Sequence, residues 1–276
     1  MNKCRRSERD LSETKTTILK IGGSVITDKN EELSARTEVI NRLVEEVQKA
    51  GIRNLIIVHG GGSFGHPTAQ KYDIKEGLKD DVQKVGFAET HHVMTVLNGL
   101  VMDALVWHNI PAFSMAPSCC VITENGRIKL CEDKVLNTLL KMGFVPVLYG
   151  DAVLDEKLGF TVLSGDQIVS YLARKLGASK VVIGVDTDGL YDKDPKITKN
   201  ASLYTRMTLS ELTKVKSKLG GSTAADVTGG MLGKISELIS VVESGIPVVM
   251  VNAVKPNRIY KALLGERVEG TVIEKA

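Results

Sequence analysis

Strand-like and helix-like segments alternate along almost the whole of this 276-residue chain. The first pair is a short apolar run, Thr17–Ile21, followed by residues 35–50, whose apolar side chains recur on one helical face. Further strand-like runs lie at 54–58, 144–148, 180–185 and 247–251. Because helices that alternate with strands carry the chain back across a sheet, the pattern predicts parallel strands covered on both faces. The expected fold class is therefore α/β, an open αβα sandwich with a mainly parallel central sheet.

Composition excludes several classes of partner. Hydrophobic residues make up 43% and charged residues 25% of the chain, which is ordinary for a globule with a real core. Aromatic residues, at 4%, are too few for base-stacking platforms, and a net charge of +3 is too small to indicate nucleic-acid or membrane binding. No apolar run reaches the roughly 18 residues of a membrane span. We therefore expect neither nucleic acid nor a membrane as a partner.

The amino-terminal segment is basic and lacks the apolar stretch of a signal peptide. We interpret residues 1–15 as a disordered tail and residues 16–276 as a single domain. The four cysteines show no CxxC spacing, so we expect free thiols rather than a disulfide framework or a zinc site. Free thiols are typical of a reducing compartment, which predicts a cytoplasmic protein without a dedicated metal site.

Local signals place the ends of several elements. Ser34 is a candidate N-cap of the first helix, and Gly51 is a candidate C-terminal stop. The run 164–167, Ser-Gly-Asp-Gln, has the capping-box pattern, and Gly86–His108 is a second long helix candidate. Pro146 suggests that its strand is an edge strand or begins irregularly.

A glycine-rich loop, His-Gly-Gly-Gly-Ser-Phe-Gly-His over residues 59–66, follows the second apolar run. Three consecutive glycines let backbone N–H groups approach a ligand closely, and such a turn opening into a helix is a natural phosphate cradle. His66 adds a donor that can carry positive charge near neutral pH. The alternative is a tight strand-to-helix connection that binds nothing.

The same loop also matches a dinucleotide-binding fingerprint, Gly60-x-Gly62-x-x-Gly65, with Asp80 and Asp81 further on. That fingerprint usually occupies the first strand–helix turn, and its acidic residue ends the next strand. Here another strand and glycine turn come earlier, and the two aspartates do not end a strand-like run. A dinucleotide site is therefore the weaker interpretation.

Other glycine-rich or acidic turns also follow strand-like runs, at 22–24, 150–151 and 186–189, and helices open with glycines at Gly165 and at 229–230. In an open parallel sheet such turns converge on one crevice, where helix N-termini favour phosphate. The P-loop signature and the protein-kinase motifs are absent, so a nucleotide needs a different cradle.

Three segments together resemble the amino-acid kinase superfamily: residues 20–24 (Lys-Ile-Gly-Gly-Ser), the triple-glycine loop, and residues 186–195 (Asp-x-Asp-Gly-Leu-Tyr-x-x-Asp-Pro). Within it, the chain is most similar to the isopentenyl phosphate kinase family, through Lys20-x-Gly22-Gly23-Ser24-x-Ile26-Thr27-x-Lys29 and the loop that ends at His66. The similarity extends from Thr17 to the C-terminus. It implies the amino-acid kinase fold, ATP-dependent phosphorylation of isopentenyl phosphate for isoprenoid synthesis, Mg²⁺ use, and a homodimer.

The resemblance also implies a role for individual residues. Lys20 and Lys234 are expected to bind ATP phosphates, Lys29 to stabilise the transferring phosphoryl group, and His66 to hold the acceptor phosphate. Asp166 is expected to orient the lysines, since a phosphate acceptor is already largely dianionic and needs no general base. Further candidates for ATP binding are Gly22, Gly23, Gly62, Asp186, Asp188, Gly189 and Gly230.

The amino-terminal half is expected to bind the acceptor and the carboxy-terminal half to bind ATP. Gly61, Gly62, His66 and Gly165 are the expected neighbours of the acceptor phosphate. The alkyl tail has no polar group, so shape and apolar contact must select it, at about 0.8 kcal/mol for each buried methylene. Candidates for that pocket are Phe87, Met94, Val162 and Ile168, and the alternative that they are plain core residues stays open.

Two other functions remain open. One is a kinase of the same fold that acts on a phosphonate such as fosfomycin, and the other is a non-catalytic oxoanion-binding protein. The presence of Lys20, Lys29 and Lys234 together favours catalysis, because storage alone needs no transfer site.

Overall fold

The computed structural model describes residues 15–220 and 228–276, so all but the last residue of the predicted 1–15 tail lies outside the described residues. The described strands are β1 (Thr17–Ile21), β2 (Leu55–His59), β3 (Ala112–Ser114), β4 (Val121–Glu124), β5 (Arg127–Cys131), β6 (Val145–Tyr149), β7 (Asp151–Asp155), β8 (Gly159–Leu163), β9 (Lys180–Val185), β10 (Arg206–Thr208), β11 (Val248–Asn252) and β12 (Gly270–Glu274). The described α-helices are α1 (Gly23–Ile26), α2 (Thr37–Ala50), α3 (Gly62–Lys71), α4 (Asp81–Trp107), α5 (Pro117–Cys120), α6 (Asp133–Lys141), α7 (Gly165–Leu176), α8 (Leu209–Gly220), α9 (Thr228–Glu243) and α10 (Arg258–Leu264).

Eight of these strands form one large sheet, in the order β10-β12-β11-β9-β1-β2-β6-β3. Every neighbouring pair is parallel except β11 and β12, so β12 and β10 run opposite to the rest. The central strands β1, β2 and β6 are buried along their whole length, which is why they read as continuous apolar runs. The predicted α/β fold with a mainly parallel sheet is confirmed.

Helices cover both faces of this sheet and form two apolar clusters. Successive β1 side chains point to opposite faces, so Ile18 lies in one cluster and Leu19 in the other. The first cluster includes Leu172 of α7 and Leu238 of α9, and the second includes Leu43 of α2 with side chains of α4 and α10. No helix in the described part of the chain is both long and apolar enough to cross a membrane.

A second sheet of four strands, in the order β5-β4-β7-β8, was not foreseen. It consists of two antiparallel hairpins joined through one parallel bridge between Thr123 and Asp155. The β4–β5 turn is made by Asn125 and Gly126, at φ values of 49° and 74°. An Asn-Gly pair with both φ values positive is the type I′ turn that a two-residue hairpin prefers.

Some element ends differ from the prediction. Arg36, not Ser34, is the residue before α2, and it makes no side-chain cap, whereas Gly51 ends the helix in the left-handed conformation as expected. Ser164 does cap α7, by accepting from the Gln167 N–H at 3.1 Å. Strand β6 lies between β2 and β3, so of the two alternatives suggested by Pro146 the edge position was wrong. Pro146 is the second residue of the strand and precedes the pairing with β2, which begins at Val147.

Candidate active site

Two glycine turns meet beyond the carboxyl ends of β1 and β2. A β-carbon on Gly23 would overlap the Gly62 nitrogen, and one on Gly62 would overlap the Thr27 hydroxyl. Gly62 also has a φ of +50°, which favours glycine. Glycine is therefore required here so that the two turns can approach each other, in addition to any approach of a ligand.

These turns open onto a cleft of about 950 Å³. Helices α3 and α7 begin at its wall, at Gly62 and Gly165, so their first N–H groups offer donors and partial positive charge to an anion. Most of the predicted site residues line it, namely Lys20, Gly22, Gly23, Lys29, Gly61, Gly62, His66, Met94, Val162, Gly165, Asp166, Asp186, Gly189 and Lys234.

A carboxylate holds two lysines at the centre of the cleft. The Asp166 Oδ1 atom lies 2.9 Å from the Nζ atoms of both Lys20 and Lys234. Burial opposes ionisation of Asp166, but the two ammonium groups outweigh it and hold the pKa of this carboxyl far below its usual range. The three side chains, which come from β1, α7 and α9, thus form one charged cluster with an excess positive charge. We call these residues the Lys20–Asp166–Lys234 cluster.

A second carboxylate pairs two further lysines at the rim. The Asp186 Oδ2 atom lies 3.0 Å from Lys29 Nζ and 2.7 Å from Lys196 Nζ. Burial raises the pKa of Asp186, but these two lysines outweigh burial and lower it overall. Lys196, which also lines the cleft, was missed in the sequence. Its one signal was its position directly after Pro195 in the nucleotide-side motif.

One predicted nucleotide-side residue lies outside the cleft, and a second has a packing role in addition to its place in the cleft. Asp188 is not among the described residues that line the cleft, and instead it pairs with Lys255 at 2.7 Å and accepts from Asn252 at 3.2 Å. Gly189 lines the cleft but is also required by packing, because a β-carbon there would overlap the Thr271 hydroxyl. Gly230 lies in the first turn of α9, for which the side-chain surroundings are outside the described residues, so its role stays a prediction.

The predicted acceptor histidine faces the cleft with one ring nitrogen already in use. His66 Nδ1 lies 3.1 Å from the Gly62 carbonyl oxygen, so Nδ1 carries a proton and donates it. The Nε2 atom is the one left for a ligand. His59, by contrast, is fully buried against Tyr149, and burial lowers its pKa, which fits a structural role.

The acceptor end of the cleft has an apolar wall, but only two of the four side chains predicted for it line the cleft. Met94 and Val162 line it. Ile168 is only 1% exposed and belongs to the core beneath the sheet, because its side of α7 faces inward. Phe87 stacks on Phe160 at 4.8 Å in a small apolar cluster behind the wall. The placement of Ile168 and Phe87 in the pocket is therefore corrected.

The same wall contains a buried acid that the sequence did not single out as functional. Asp151 lines the cleft and is 1% exposed. It accepts hydrogen bonds from the backbone N–H groups of Ala152 and Ser118, and it lies 3.0 Å from His91 Nδ1. These contacts tie α4, α5 and β7 together behind the acceptor end.

The donor set of the cleft fits a nucleotide-bound cation better than a protein-held one. Among the residues that the structure describes, no group of three or more His, Cys, Asp and Glu side chains is arranged to hold a metal ion. Asp166 and Asp186 are each occupied by two lysines. A magnesium ion that bridges ATP phosphates keeps mostly phosphate and water ligands, and this cleft suits that arrangement.

Comparison with known families places this architecture. The model of the amino acid kinase family matches residues 15–252. The isopentenyl phosphate kinase of Methanothermobacter thermautotrophicus is 41% identical over 263 residues, which span 93% of this chain and 98% of that protein. The isopentenyl phosphate kinase of Methanocaldococcus jannaschii is 40% identical over 94% of this chain and 98% of that protein.

Solved structures give the same result. A crystal structure of an isopentenyl phosphate kinase superposes with a TM-score of 0.83 at 38% identity and covers 94% of this chain and 99% of its own. A substrate complex of an isopentenyl phosphate kinase gives a TM-score of 0.78 at 31% identity, over 95% of this chain and all of the other.

Proposed function

The chain belongs to the amino acid kinase family and, within it, to the isopentenyl phosphate kinases, and we propose that it transfers the terminal phosphoryl group of ATP to isopentenyl phosphate. The products are isopentenyl diphosphate and ADP, which makes this a step that supplies isoprenoid precursors. The observation that carries the proposal is a single cleft lined both by the Lys20–Asp166–Lys234 cluster and by His66, whose Nδ1 atom is engaged by the Gly62 carbonyl oxygen.

The lysines address the main obstacle to this reaction, which is the repulsion between two phosphate-bearing anions. Lys20 and Lys234 bind the ATP phosphates, and Asp166 fixes the distance between the two ammonium groups. A magnesium ion brought in with the nucleotide would add further neutralisation of the phosphate charge, beside the two lysines. During transfer, Lys29 leaves the Asp186 carboxylate and pairs with the phosphoryl group. Lys196 then remains as the partner of that carboxylate. Charge stabilisation of this kind acts mainly in the transition state.

The acceptor occupies the amino-terminal half of the cleft. When its ring carries a proton on each nitrogen, His66 donates from Nε2 to the acceptor phosphate while Nδ1 donates to Gly62, and the N–H groups at the start of α3 and α7 add further donors. Since the acceptor phosphate attacks as an anion, no side chain has to remove a proton. The alkyl tail lies against Met94 and Val162, where burial of each methylene contributes about 0.8 kcal/mol.

We also propose a homodimer built on α4. This helix exposes Val85, Val96 and Trp107, the last at 82% exposure. Successive side chains of this set lie eleven residues apart, which is close to three helical turns, so all three lie on one face of the helix. Exposed apolar side chains that recur at this spacing along a 27-residue helix suit pairing with its own copy. A cytoplasmic location is proposed as well, because Cys119, Cys120 and Cys131 are free thiols.

The proposal is tested by measuring ADP release with a panel of acceptors at equal concentration: isopentenyl phosphate, a ten-carbon prenyl phosphate, fosfomycin and uridylate. We expect the highest kcat/KM with isopentenyl phosphate, and phosphorus NMR of the product should show a diphosphate. Asp166→Asn is the matched inactive control, since it removes the charge between the lysines and keeps the size of the side chain. A preference for fosfomycin or uridylate would overturn the assignment, and ATP binding without turnover on any acceptor would favour an oxoanion-binding protein.

A further inference from the structure

The β4–β5 hairpin of the second sheet lies outside the cleft and yet contacts both helices that carry the Lys20–Asp166–Lys234 cluster. Its contacts come from three consecutive residues, Gly126, Arg127 and Ile128, none of which is among the described residues lining the cleft. The hairpin is therefore placed to affect the two helices without touching a ligand.

The contact with α7 is made by Gln167, the residue directly after Asp166. Its side chain accepts from the Ile128 N–H at 2.8 Å and donates to the Gly126 carbonyl oxygen at 3.0 Å. A capping-box glutamine would instead bond back to the helix start. Both ends of the Gln167 amide are thus used on the hairpin backbone, one residue from the carboxylate that orients the lysines.

The contact with α9 is made by an ion pair. Arg127 Nη1 lies 2.5 Å from Glu237 Oε1, and Arg127 Nη2 lies 3.3 Å from Glu237 Oε2. This fork geometry fixes orientation as well as distance. Glu237 is 9% exposed and lies three residues after Lys234, so the two side chains are neighbours on the surface of one helix.

The hairpin itself is held rigidly at its turn. The Asp155 carboxylate accepts from the Thr123 hydroxyl, from the N–H groups of Asn125 and Gly126, and from those of Lys157 and Leu158, all within 3.1 Å. Burial opposes ionisation of Asp155, but these bonds lower its pKa well below the usual range. The segment that contacts α7 and α9 is thus anchored at its turn.

We propose that this hairpin is a brace that sets the distance between Asp166 and Lys234, with Arg127, Glu237 and Gln167 as positioning residues for phosphoryl transfer. The inference rests on the proposed function. A displacement of about 1 Å at a catalytic group can lower the rate as much as 100-fold. Loss of the Arg127–Glu237 ion pair on α9 is therefore expected to lower turnover.

The test uses the full-length protein with four substitutions: Arg127→Ala, Arg127→Lys, Glu237→Gln, and the double change Arg127→Ala with Glu237→Gln. We expect Arg127→Ala to lower kcat by about tenfold and to weaken ATP binding, with the acceptor KM within about twofold of the wild type. Arg127→Lys keeps one ion pair and loses the fork, so it should recover only part of kcat. Lys129→Ala is the matched control, because Lys129 lies in the same hairpin but pairs only with the exposed Glu124 and Glu156.

The double substitution separates positioning from stability. Arg127→Ala leaves the Glu237 carboxylate unpaired and poorly exposed, which is expected to lower the urea midpoint of unfolding. Glu237→Gln then removes that charge, so the midpoint should recover in the double variant while kcat stays low. Recovery of kcat together with the midpoint, or a kcat for Arg127→Ala equal to that of Lys129→Ala, would overturn the brace.

Calorimetry of ATP binding without acceptor keeps the two proposals separate. If the wild type does not phosphorylate isopentenyl phosphate, the proposed function fails, and the brace is judged by whether Arg127→Ala weakens ATP binding and Lys129→Ala does not. If the wild type is active and Arg127→Ala matches it in kcat and ATP affinity, the brace alone fails.

Discussion

Lys20 keeps an ammonium group in surroundings that make its charge costly. Burial lowers its pKa to about 8; the Asp166 carboxylate opposes this shift, and the Lys234 ammonium adds to it. Lys20 is 5% exposed, so water does little to relieve the repulsion between the two lysines. The nucleotide-free enzyme is thus expected to lose this charge as the pH rises through about 8, well below the ordinary pKa of a lysine side chain.

The lowered pKa of Lys20 determines the direction in which ATP use should change with pH. The profile of kcat/KM for ATP reports groups of the enzyme form without bound ATP, so it should fall as the pH rises above about 8. Bound ATP phosphates favour the ammonium form, so kcat itself should fall only at higher pH. Steady-state kinetics at saturating acceptor measure both profiles. A kcat/KM that stays flat to high pH, or two profiles that fall together, would contradict the assignment of this charge to ATP binding.

Lys29 and Lys196 share one carboxylate oxygen of Asp186, which makes them a matched pair for mutation. Lys29→Ala should lower kcat by about 100-fold with a smaller change in KM, because its charge acts mainly when the phosphoryl group is in flight. Lys196→Ala should change kcat by less than about threefold. Single-turnover kinetics with each variant measure the chemical step directly. Equal losses would mean that Lys29 only neutralises Asp186.

His66 has one ring nitrogen committed to the helix backbone, so only Nε2 is free for the acceptor. We expect His66→Ala to raise the acceptor KM by about tenfold, the loss of one charge-assisted hydrogen bond, while ATP affinity stays nearly intact. Lys71→Ala, at the exposed end of the same helix α3 and outside the described residues that line the cleft, is the control. Competition by an unreactive phosphonate analogue of the acceptor measures its affinity apart from turnover. A parallel loss of ATP affinity would place His66 on the wrong side of the cleft.

At the scale of elements, the triple-glycine loop serves packing as well as binding. Gly62 and Gly51 both have left-handed backbones, with φ of +50° and +60°, but only Gly62 has close neighbours. Gly51→Ala should cost about 1 to 2 kcal/mol of unfolding free energy, from backbone strain alone. Gly62→Ala adds overlap with Thr27 and Gly23, so about 3 kcal/mol or more is expected.

Urea denaturation of the two variants compares these costs directly. The difference between them isolates the contact between the first two glycine turns, because the backbone conformation is similar in both. If Gly62→Ala is no less stable than Gly51→Ala, the turns have room to separate, and glycine at that position is needed for the ligand rather than for the fold.

The large sheet was predictable because its central strands are apolar throughout and its helices are long. Strand β1 begins and ends where the apolar run does, and Gly51 ends α2 as expected. The second sheet was missed although Asn125-Gly126 is a strong hairpin signal, since its strands carry exposed polar residues, such as Lys129. Strand β3 has only three residues, so it shows no periodicity.

Across the whole molecule, the cleft residues that lie in motifs were predictable, and those that depend on distant pairing were not. Lys20, Asp166 and Lys234 were named from the sequence. In the structure the Nζ atom of each lysine lies 2.9 Å from Asp166 Oδ1. Lys196 and the Arg127–Glu237 pair became visible only in three dimensions. Glu237 lies 110 residues from Arg127, and no local pattern links them.

The proposed homodimer can be tested by substitution on the exposed face of α4. Val96 is 44% exposed on the face of this helix that also carries Val85 and Trp107, and Gly99, one turn on, leaves open space for a closely crossing helix. In a twofold dimer each copy contributes the same face, so Val96→Lys places two ammonium groups in one interface.

We expect light scattering to give a mass of two 29.9 kDa chains for the wild type at micromolar protein and of one chain for Val96→Lys. Met142→Lys makes the same change at a surface site beyond α6 and should stay dimeric. A monomeric wild type would reject the dimer, and a dimeric Val96→Lys variant would move its interface away from α4.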